Sequence, residues 1–349
     1  MKLKVAIVGF GGQGHWHAKQ IMNNDVAEVV GAYDIRPVRM DLAKEKGIPT
    51  YPSYEALLAS DADVVVVATP NDVHKDLCIA ALKAGKHVVC EKPVTLSVED
   101  FDAIVAVAKE CGKVFEVHQN RRWDTDFLAI KRLITTELIG KPLYISSYVQ
   151  GSRGIPGDWR QLKAQGGGMI LDWGVHMIDQ MLQLIKAPIT SVYCNTTHYT
   201  NPEVDDGYKM FIHFANGVVG YTEVGTYNFI SQGRYYAQFE QGTAFISDWH
   251  EDVLVRECLN WGEGDVHPVQ TASGITKTMA PRSDASVKEY KLPQPKSDVH
   301  EFYRNLRDTI EGKAEQLIRA DEVRRVLQVM EAAFESAETN SVVKFSPAI

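Results

Sequence analysis

Along the first third of the chain, short apolar runs alternate with amphipathic stretches. "KVAIVG", "EVVGAYD", "DVVVVAT" (Asp63 to Thr69), "HVVCE" and "VFEVH" each have strand length. The third is a continuous β-branched run, the pattern of a strand buried on both faces of a parallel sheet. Between them, "DVHKDLCIAALKAG" and "SVEDFDAIVAVAKECG" have helical spacing and end in the glycine that closes many helices. This alternation predicts βαβ units and a doubly wound parallel sheet.

Near Asn120 the rhythm changes. A helix, "DTDFLAIKRLITTELIG", leads to a strand, "LYISSYVQ", then to a Gly-rich loop and the apolar stretch "GGGMILDWGVHMIDQMLQLI" (Gly166 to Ile185). After Pro188 strand follows strand, and Asn216-Gly217 marks a hairpin turn between two of them. This half is expected to be α+β, an open and mostly antiparallel sheet with helices on one face. Residues 260–286 have no clear period and read as a long loop. Two helices close the chain, near Asp298 to Gly312 and near Arg319 to Glu338.

At 349 residues the chain exceeds what one hydrophobic core usually holds. Two domains are expected, a dinucleotide-binding one over residues 1–121 and a substrate and oligomerisation one over 122–349. The net charge of −8 without a long basic run argues against nucleic acid or an anionic membrane as partner. No apolar run is long enough to span a bilayer. The N-terminal "MKLKVAIVGFGG" reads as a first strand rather than a leader, which predicts a cytoplasmic protein. The five cysteines are scattered without a CxxC pair, which favours buried thiols over disulfides or zinc, and no metal is expected.

The first strand runs straight into "VGFGGQG". Gly9, Gly11 and Gly14 have G-x-G-x-x-G spacing between a strand and a helix, the context of a Rossmann dinucleotide fingerprint. The loop Gly9, Phe10, Gly11, Gly12, Gln13, Gly14 would bring its backbone and a helix N-terminus to a pyrophosphate. Asp34 closes the second strand, where a carboxylate accepts from ribose hydroxyls and repels a 2′-phosphate. That favours NAD. Arg36 beside it leaves NADP possible. Ligands of such sheets gather outside the carboxyl ends of the strands. Thr69, Pro70, Asn71 and His74 follow one such end, and Glu91 and Lys92 follow another. There Lys92 could stabilise charge developing on an oxygen as hydride leaves carbon.

With about 100° per residue, Asp172, His176, Asp179 and Gln183 fall in a stripe roughly 60° wide on an otherwise apolar helix. A buried Asp–His pair that only fixes packing is one reading. The other is half of an active site, with Asp172 orienting His176 as an acid/base four residues on. Asp179 reads as structural. Arg122, Trp123, Arg153, Trp159, Arg160, Trp173 and Tyr236 are candidates for lining the site, with packing an open alternative for each.

Taken in order, "GFGGQG", "TPNDVH", "CEKP" and "GGGMILDWGVHMID" resemble the glucose–fructose oxidoreductase/inositol dehydrogenase/MocA family over nearly the whole chain. The resemblance implies NAD(P)-dependent oxidation or reduction of sugars, inositols and related polyols. It implies Lys92 as the catalytic lysine, Asp172 and His176 as acid and acid–base, and a Trp159–Arg160 pair reaching the cofactor. It also implies a homodimer or homotetramer built on the open sheet. "NRRWDTDF" is similar to a subgroup with scyllo-inositol dehydrogenases, while Trp173 departs from the small residue common after the aspartate. The family also includes dinucleotide-binding sensors and NAD-dependent glycosidases, the two alternatives to a dehydrogenase.

Overall fold

The structure, a computed structural model, describes residues 2–262, 264 and 266–349. The first five strands are β1 (Leu3–Val8), β2 (Ala27–Tyr33), β3 (Val64–Val67), β4 (His87–Cys90) and β5 (Phe115–Val117). They form one sheet in the order β2-β1-β3-β4-β5, with every pairing parallel. Val64 to Val67 are wholly buried, as their β-branched run requires when helices cover both faces. The order reverses between β1 and β3, so the crevice outside their carboxyl ends is the expected place for a ligand.

The remaining strands are β6 (Pro142–Gln150), β7 (Ile189–Thr197), β8 (Gly207–Phe214), β9 (Val219–Gly225), β10 (Tyr235–Phe239), β11 (Gly242–Ile246), β12 (Val253–Cys258), β13 (Val269–Thr271), β14 (Gly274–Thr276), β15 (Val287–Leu292) and β16 (Val343–Lys344). Among the described residues, all but β13 and β14 form a second sheet ordered β15-β12-β11-β10-β6-β9-β8-β7-β16. It is mostly antiparallel, as expected, but β6 and β9 pair parallel. The hairpin at Asn216-Gly217 joins β8 to β9, with Gly217 at φ +86°. Along β8, Tyr208, Met210, Ile212 and Phe214 are buried under the helices, while Lys209, Phe211 and His213 face outward. The 260–286 stretch is not all loop, because β13 and β14 pair within it.

The stretch Gly166 to Ile185 is not one α-helix. Ile170–Gly174 is wound as a π-turn, and the α-helix proper is Val175–Leu184. That helix is buried nearly all round and lies so close on β9 that a Cβ on Gly220 would stand 2.8 Å from Met181. Cys78, Cys90, Cys111, Cys194 and Cys258 are all free thiols. No helix among the described residues is long and apolar enough to cross a membrane.

Candidate functional site

A cleft of about 1070 Å³ runs along the carboxyl ends of the parallel strands. Its floor is the β1–helix turn. Gly9 has φ +87°, and a Cβ there would stand 2.5 Å from the Ala68 carbonyl oxygen. A Cβ on Gly14 would overlap the Gly9 carbonyl at 1.9 Å. Nothing comparable surrounds Gly12, which faces open space at the start of the helix Gly12–Met22. The turn is therefore tight on its protein side and bare on its cleft side, which fits a pyrophosphate on free backbone N–H groups. Gln13 also lines the cleft. Phe10 does not line it through its ring, which is wholly buried in the core.

The Asp34 carboxylate is already engaged. Its Oδ2 accepts from the Phe10 N–H at 2.8 Å and its Oδ1 from the Arg36 N–H at 2.9 Å. Asp34 thereby pins the glycine turn to the end of β2, with lone pairs left for a ribose. Arg36 and Arg39 also line the cleft, and Arg36 Nε lies 3.4 Å from Asp34 Oδ1.

Thr69, Pro70 and Asn71 line the cleft as well, and the Asn71 amide donates to the Gly166 carbonyl at 2.9 Å. His74 does not reach the cleft. It is fully buried, with its ring nitrogens 2.9 Å from the Thr69 carbonyl and 3.1 Å from the Pro93 carbonyl. It braces the two strand ends against each other.

Lys92 stands at the end of β4. Its Nζ donates to the Asp172 carbonyl at 2.9 Å and lies 3.3 Å from Asp172 Oδ1. The other carboxylate oxygen of Asp172 is 3.2 Å from Arg160 Nε. Arg160 also holds Asp158 at 2.8 Å and stacks over Trp159 at 4.7 Å, and all three line the cleft. Burial alone would raise the Asp172 pKa. The Lys92 and Arg160 charges outweigh it and hold the carboxyl below its ordinary range.

The expected Asp172-to-His176 orientation is not seen. Asp172 turns toward Lys92 and Arg160, and the buried His176 Nδ1 has no hydrogen-bond partner among the described residues. The π-turn between them breaks the ideal α-helical register on which that pairing rested. Burial, with the Lys92 and Arg121 charges added, holds the His176 pKa well below its ordinary value. His176 is therefore a neutral imidazole at neutral pH, able to accept a proton.

Several other candidates lie elsewhere. Arg122 points inward, with Nε and Nη2 on the Asp179 carboxylate at 2.8 and 2.6 Å and Nη1 on Glu322 at 2.9 Å. Asp179 is structural in this sense. Trp123 is buried against Phe302, and its Nε1 donates to Glu301 at 3.0 Å. Arg153 lines a separate depression of about 280 Å³. Strand alternation puts Tyr235 under the helices and Tyr236 on the open face, where the Tyr236 hydroxyl accepts from Gln238 at 3.1 Å. Glu91 lines the cleft, but its Oε1 accepts inward, 2.8 Å from His17 Nε2 and 2.9 Å from His118 Nδ1. Tyr303 meets the far nitrogen of His17 at 2.5 Å. The donor atoms of His17, Glu91 and His118 lie within 4.8 Å of one another. Hydrogen bonds satisfy this chain, with Tyr303 donating to His17 and both rings donating to Glu91.

Residues that sequence reasoning missed take the vacated places. Arg121, not Arg122, lies over the half-buried Trp173 ring at 4.1 Å, and Trp173 in turn is 6.0 Å from the His176 ring. Trp249, in the turn after β11, packs 5.9 Å from Trp173. The "RR" pair offered Arg121 as readily as Arg122. Nothing local marks Trp249, which reaches the site only through the sheet.

A family profile described as "Oxidoreductase family, NAD-binding Rossmann fold" matches residues 3–119, and the "GFO/IDH/MocA C-terminal domain" profile matches residues 127–245. The chain is 27% identical to the NADP-dependent scyllo-inositol 2-dehydrogenase of Bacillus subtilis, over 98% of this chain and 95% of that protein. It is 31% identical to the NAD-dependent scyllo-inositol 2-dehydrogenase of the same organism, over 64% of this chain and 67% of that one. A solved structure from Listeria innocua, described as an NAD-binding protein, superposes with a TM-score of 0.96 at 45% identity, covering 99% of both chains.

Proposed function

The chain belongs to the Gfo/Idh/MocA family of NAD(P)-dependent oxidoreductases, and within it we propose that this dehydrogenase acts on a cyclic polyol such as an inositol, or on a related sugar or keto-sugar. The carrying observation is the Lys92–Asp172 contact at 2.9 and 3.3 Å, which joins a cleft built for a dinucleotide to the segment bearing His176. A bound nicotinamide supplies the hydride acceptor or donor. Lys92 donates to the substrate oxygen and stabilises the charge that gathers there. Its ammonium has three N–H groups, and the contacts to Asp172 leave one free for this. Asp172, with Arg160 behind it, fixes the lysine. His176, held neutral by burial, takes the hydroxyl proton in the oxidative direction and returns it in the reductive one.

Asp34 supports use of NAD, and Arg36 with Arg39 supports acceptance of NADP as well. Residues 1–121 and 122–349 act in this reading as the dinucleotide and substrate domains. The outward face of the second sheet, with Phe211, Tyr221 and Tyr236, is proposed to pair with a second copy of the chain. Lys92 and Asp172 line the cleft, with the buried His176 four residues on along the same segment, and retention of all three favours turnover over a sensor's silent binding. The test is a panel of inositols, hexoses and keto-sugars with each dinucleotide, read at the reduced-nicotinamide absorbance band. Stoichiometric turnover of an inositol is the expected result. Binding of dinucleotide with no turnover across the panel refutes the reading.

A further inference from the structure

The segment that carries Asp172 and His176 begins at a backbone that a distant carboxylate grips. The first N–H groups of a helix have no partner within it, and no side chain of the local segment caps this one. Asp205, just before β8, supplies the missing acceptor. Its Oδ2 accepts from the Met169 N–H at 2.9 Å and from the Ile170 N–H at 2.8 Å, and its backbone carbonyl is also 3.0 Å from the Met169 nitrogen. Asp205 is only 5% exposed and does not line the cleft. The third glycine of "GGG" is part of the same device. Gly168 has φ +106°, and a Cβ on it would stand 2.3 Å from Asp205 Oδ1. The Gly168 carbonyl then accepts from the N–H of Asp172 itself at 3.0 Å.

We propose that Asp205 is a positioning residue for the oxidoreductase reaction, fixing through Met169 and Ile170 where Asp172 and His176 stand relative to Lys92. The inference rests on the reading of those three residues given above. The grip also depends on pH. Burial pushes the Asp205 carboxyl up to about 7, with the Asp206 charge adding to it, and Cys194 on β7 and Tyr208 on β8 are the other titratable groups that face it. Above that pH an anion accepts the two N–H groups at a helix start, where negative charge is favoured. Below it a neutral acid accepts them less strongly.

The test uses Asp205→Asn, Asp205→Ala, Gly168→Ala and the Gly168→Ala/Asp205→Ala double variant in the full chain. The readouts are kcat with scyllo-inositol and NADP, NADP affinity by fluorescence titration, and amide hydrogen exchange over residues 169–176. Asp205→Ala and Gly168→Ala are each expected to lower kcat tens-fold and to speed exchange in that segment, with NADP affinity unchanged. The double variant is expected to be no worse than either single one, because both break the same contact. Asp205→Asn keeps a carbonyl acceptor. As a neutral acceptor it should match the wild-type kcat below pH 7, exceed the Ala variant, and lack the rise that ionisation of Asp205 gives the wild type above about 7. Wild-type kcat and exchange in Asp205→Ala overturn the proposal, as do additive losses in the double variant or an Asn variant as poor as the Ala one. A fully active His176→Gln enzyme would sink the assigned chemistry instead. An inactive His176→Gln beside an unaffected Asp205→Ala sinks the positioning role alone. The exchange pattern decides that role whichever polyol is turned over.

Discussion

Lys92 and Asp172 stand 80 residues apart in sequence and meet at the cleft, the lysine Nζ 2.9 Å from the aspartate carbonyl and 3.3 Å from its carboxylate. The lysine comes from the end of a parallel strand and the aspartate from a π-turn beneath the second sheet. Each alone has an ordinary structural explanation. Together, nine-tenths buried on the lysine side, they place an oriented ammonium in the lining of the cleft.

Replacing Lys92 with Met keeps the aliphatic stem and removes the charge. Turnover should fall about 100- to 1000-fold, the scale for losing one donor to a developing oxyanion. Dinucleotide affinity should hold, since the glycine turn and Asp34 are untouched. Steady-state rates beside a dinucleotide titration separate the two. An equal loss in both would show that the lysine serves binding rather than chemistry.

His176 sets a second expectation. Its folded pKa lies well below the ordinary 6.5, chiefly through burial. As a base it is therefore already deprotonated at neutral pH, and its own acid limb in the oxidation rate lies below pH 6.5. His17 and His74 are depressed by burial in the same direction. An unfolded chain takes up these protons near pH 6.5 while the folded chain does not. The stability contribution is present above that pH and is lost as pH falls toward the folded values. The histidine contribution to the denaturant midpoint, read against the opposite trend from Asp205 and Glu116, should decline from pH 7.5 down to 5. Changing His176 to Gln should shallow that decline and abolish turnover.

The parallel sheet, the glycine turn and the strand-end positions of Thr69, Asn71 and Lys92 were legible because each is a local pattern with one physical meaning. The chain around Asp172 was legible as a polar line on an apolar helix, but its partners were not. Whether Asp172 faces His176 or Lys92 depends on a π-turn that no periodicity announces. Arg122 and Arg121 are adjacent and chemically alike, and only the position of Asp179 and Glu322 decides which one turns inward. Tyr235 and Tyr236 pose the same problem in a strand, where the register with β6 sets the face. Asp205 and Trp249 come from remote segments that only the folded sheet brings near.

The two arginines beside Asp34 bear on cofactor choice. Arg36 is more than half exposed and Arg39 Nε has no hydrogen-bond partner among the described residues. Arg36 Nε lies 3.4 Å from Asp34 Oδ1, and the remaining guanidinium N–H groups of the two residues, which both line the cleft, can meet a 2′-phosphate. The Arg36→Ala/Arg39→Ala variant should weaken NADP by about tenfold or more, some 1.4 kcal/mol, while NAD affinity changes little. Isothermal titration with both dinucleotides reads the ratio. Parallel losses for both would mean the arginines serve the adenine or the loop rather than the phosphate.

Arg121 and Arg122 should behave oppositely. Removing Arg122 leaves Asp179, 2% exposed, without its bidentate partner. Breaking a buried pair in this way costs about 3–5 kcal/mol, which a denaturant curve of Arg122→Ala will show. Arg121 is partly exposed and paired with Asp124 at 3.0 Å. Arg121→Ala should leave the fold intact and relieve one of the charges that, after burial and Lys92, depress His176. The acid limb of the His176-dependent rate should then move to higher pH. An unmoved limb would place Arg121 too far from His176 to matter.

Glu116, on β5, gives a stability test with the opposite pH sense from the histidines. It is 1% exposed, neither carboxylate oxygen has a hydrogen bond of good geometry among the described residues, and burial, outweighing the nearby Ile318 N–H, Arg122 and Gln316, pushes its pKa up to about 8. The folded state keeps this proton up to about pH 8, whereas an unfolded carboxyl releases it near 4.5. Stability from this residue is thus full below 4.5, declines as pH rises, and reaches its lowest level above about 8. Gln has no proton to lose. Glu116→Gln should match the parent, or fall slightly short of it, near pH 4.5, and should gain on it steadily to a few kcal/mol by pH 8 to 9. Urea unfolding of both proteins at pH 5, 7 and 9 reads the difference directly. A gap that stays constant over that range would mean that Glu116 is ionised in the folded protein and has found a partner.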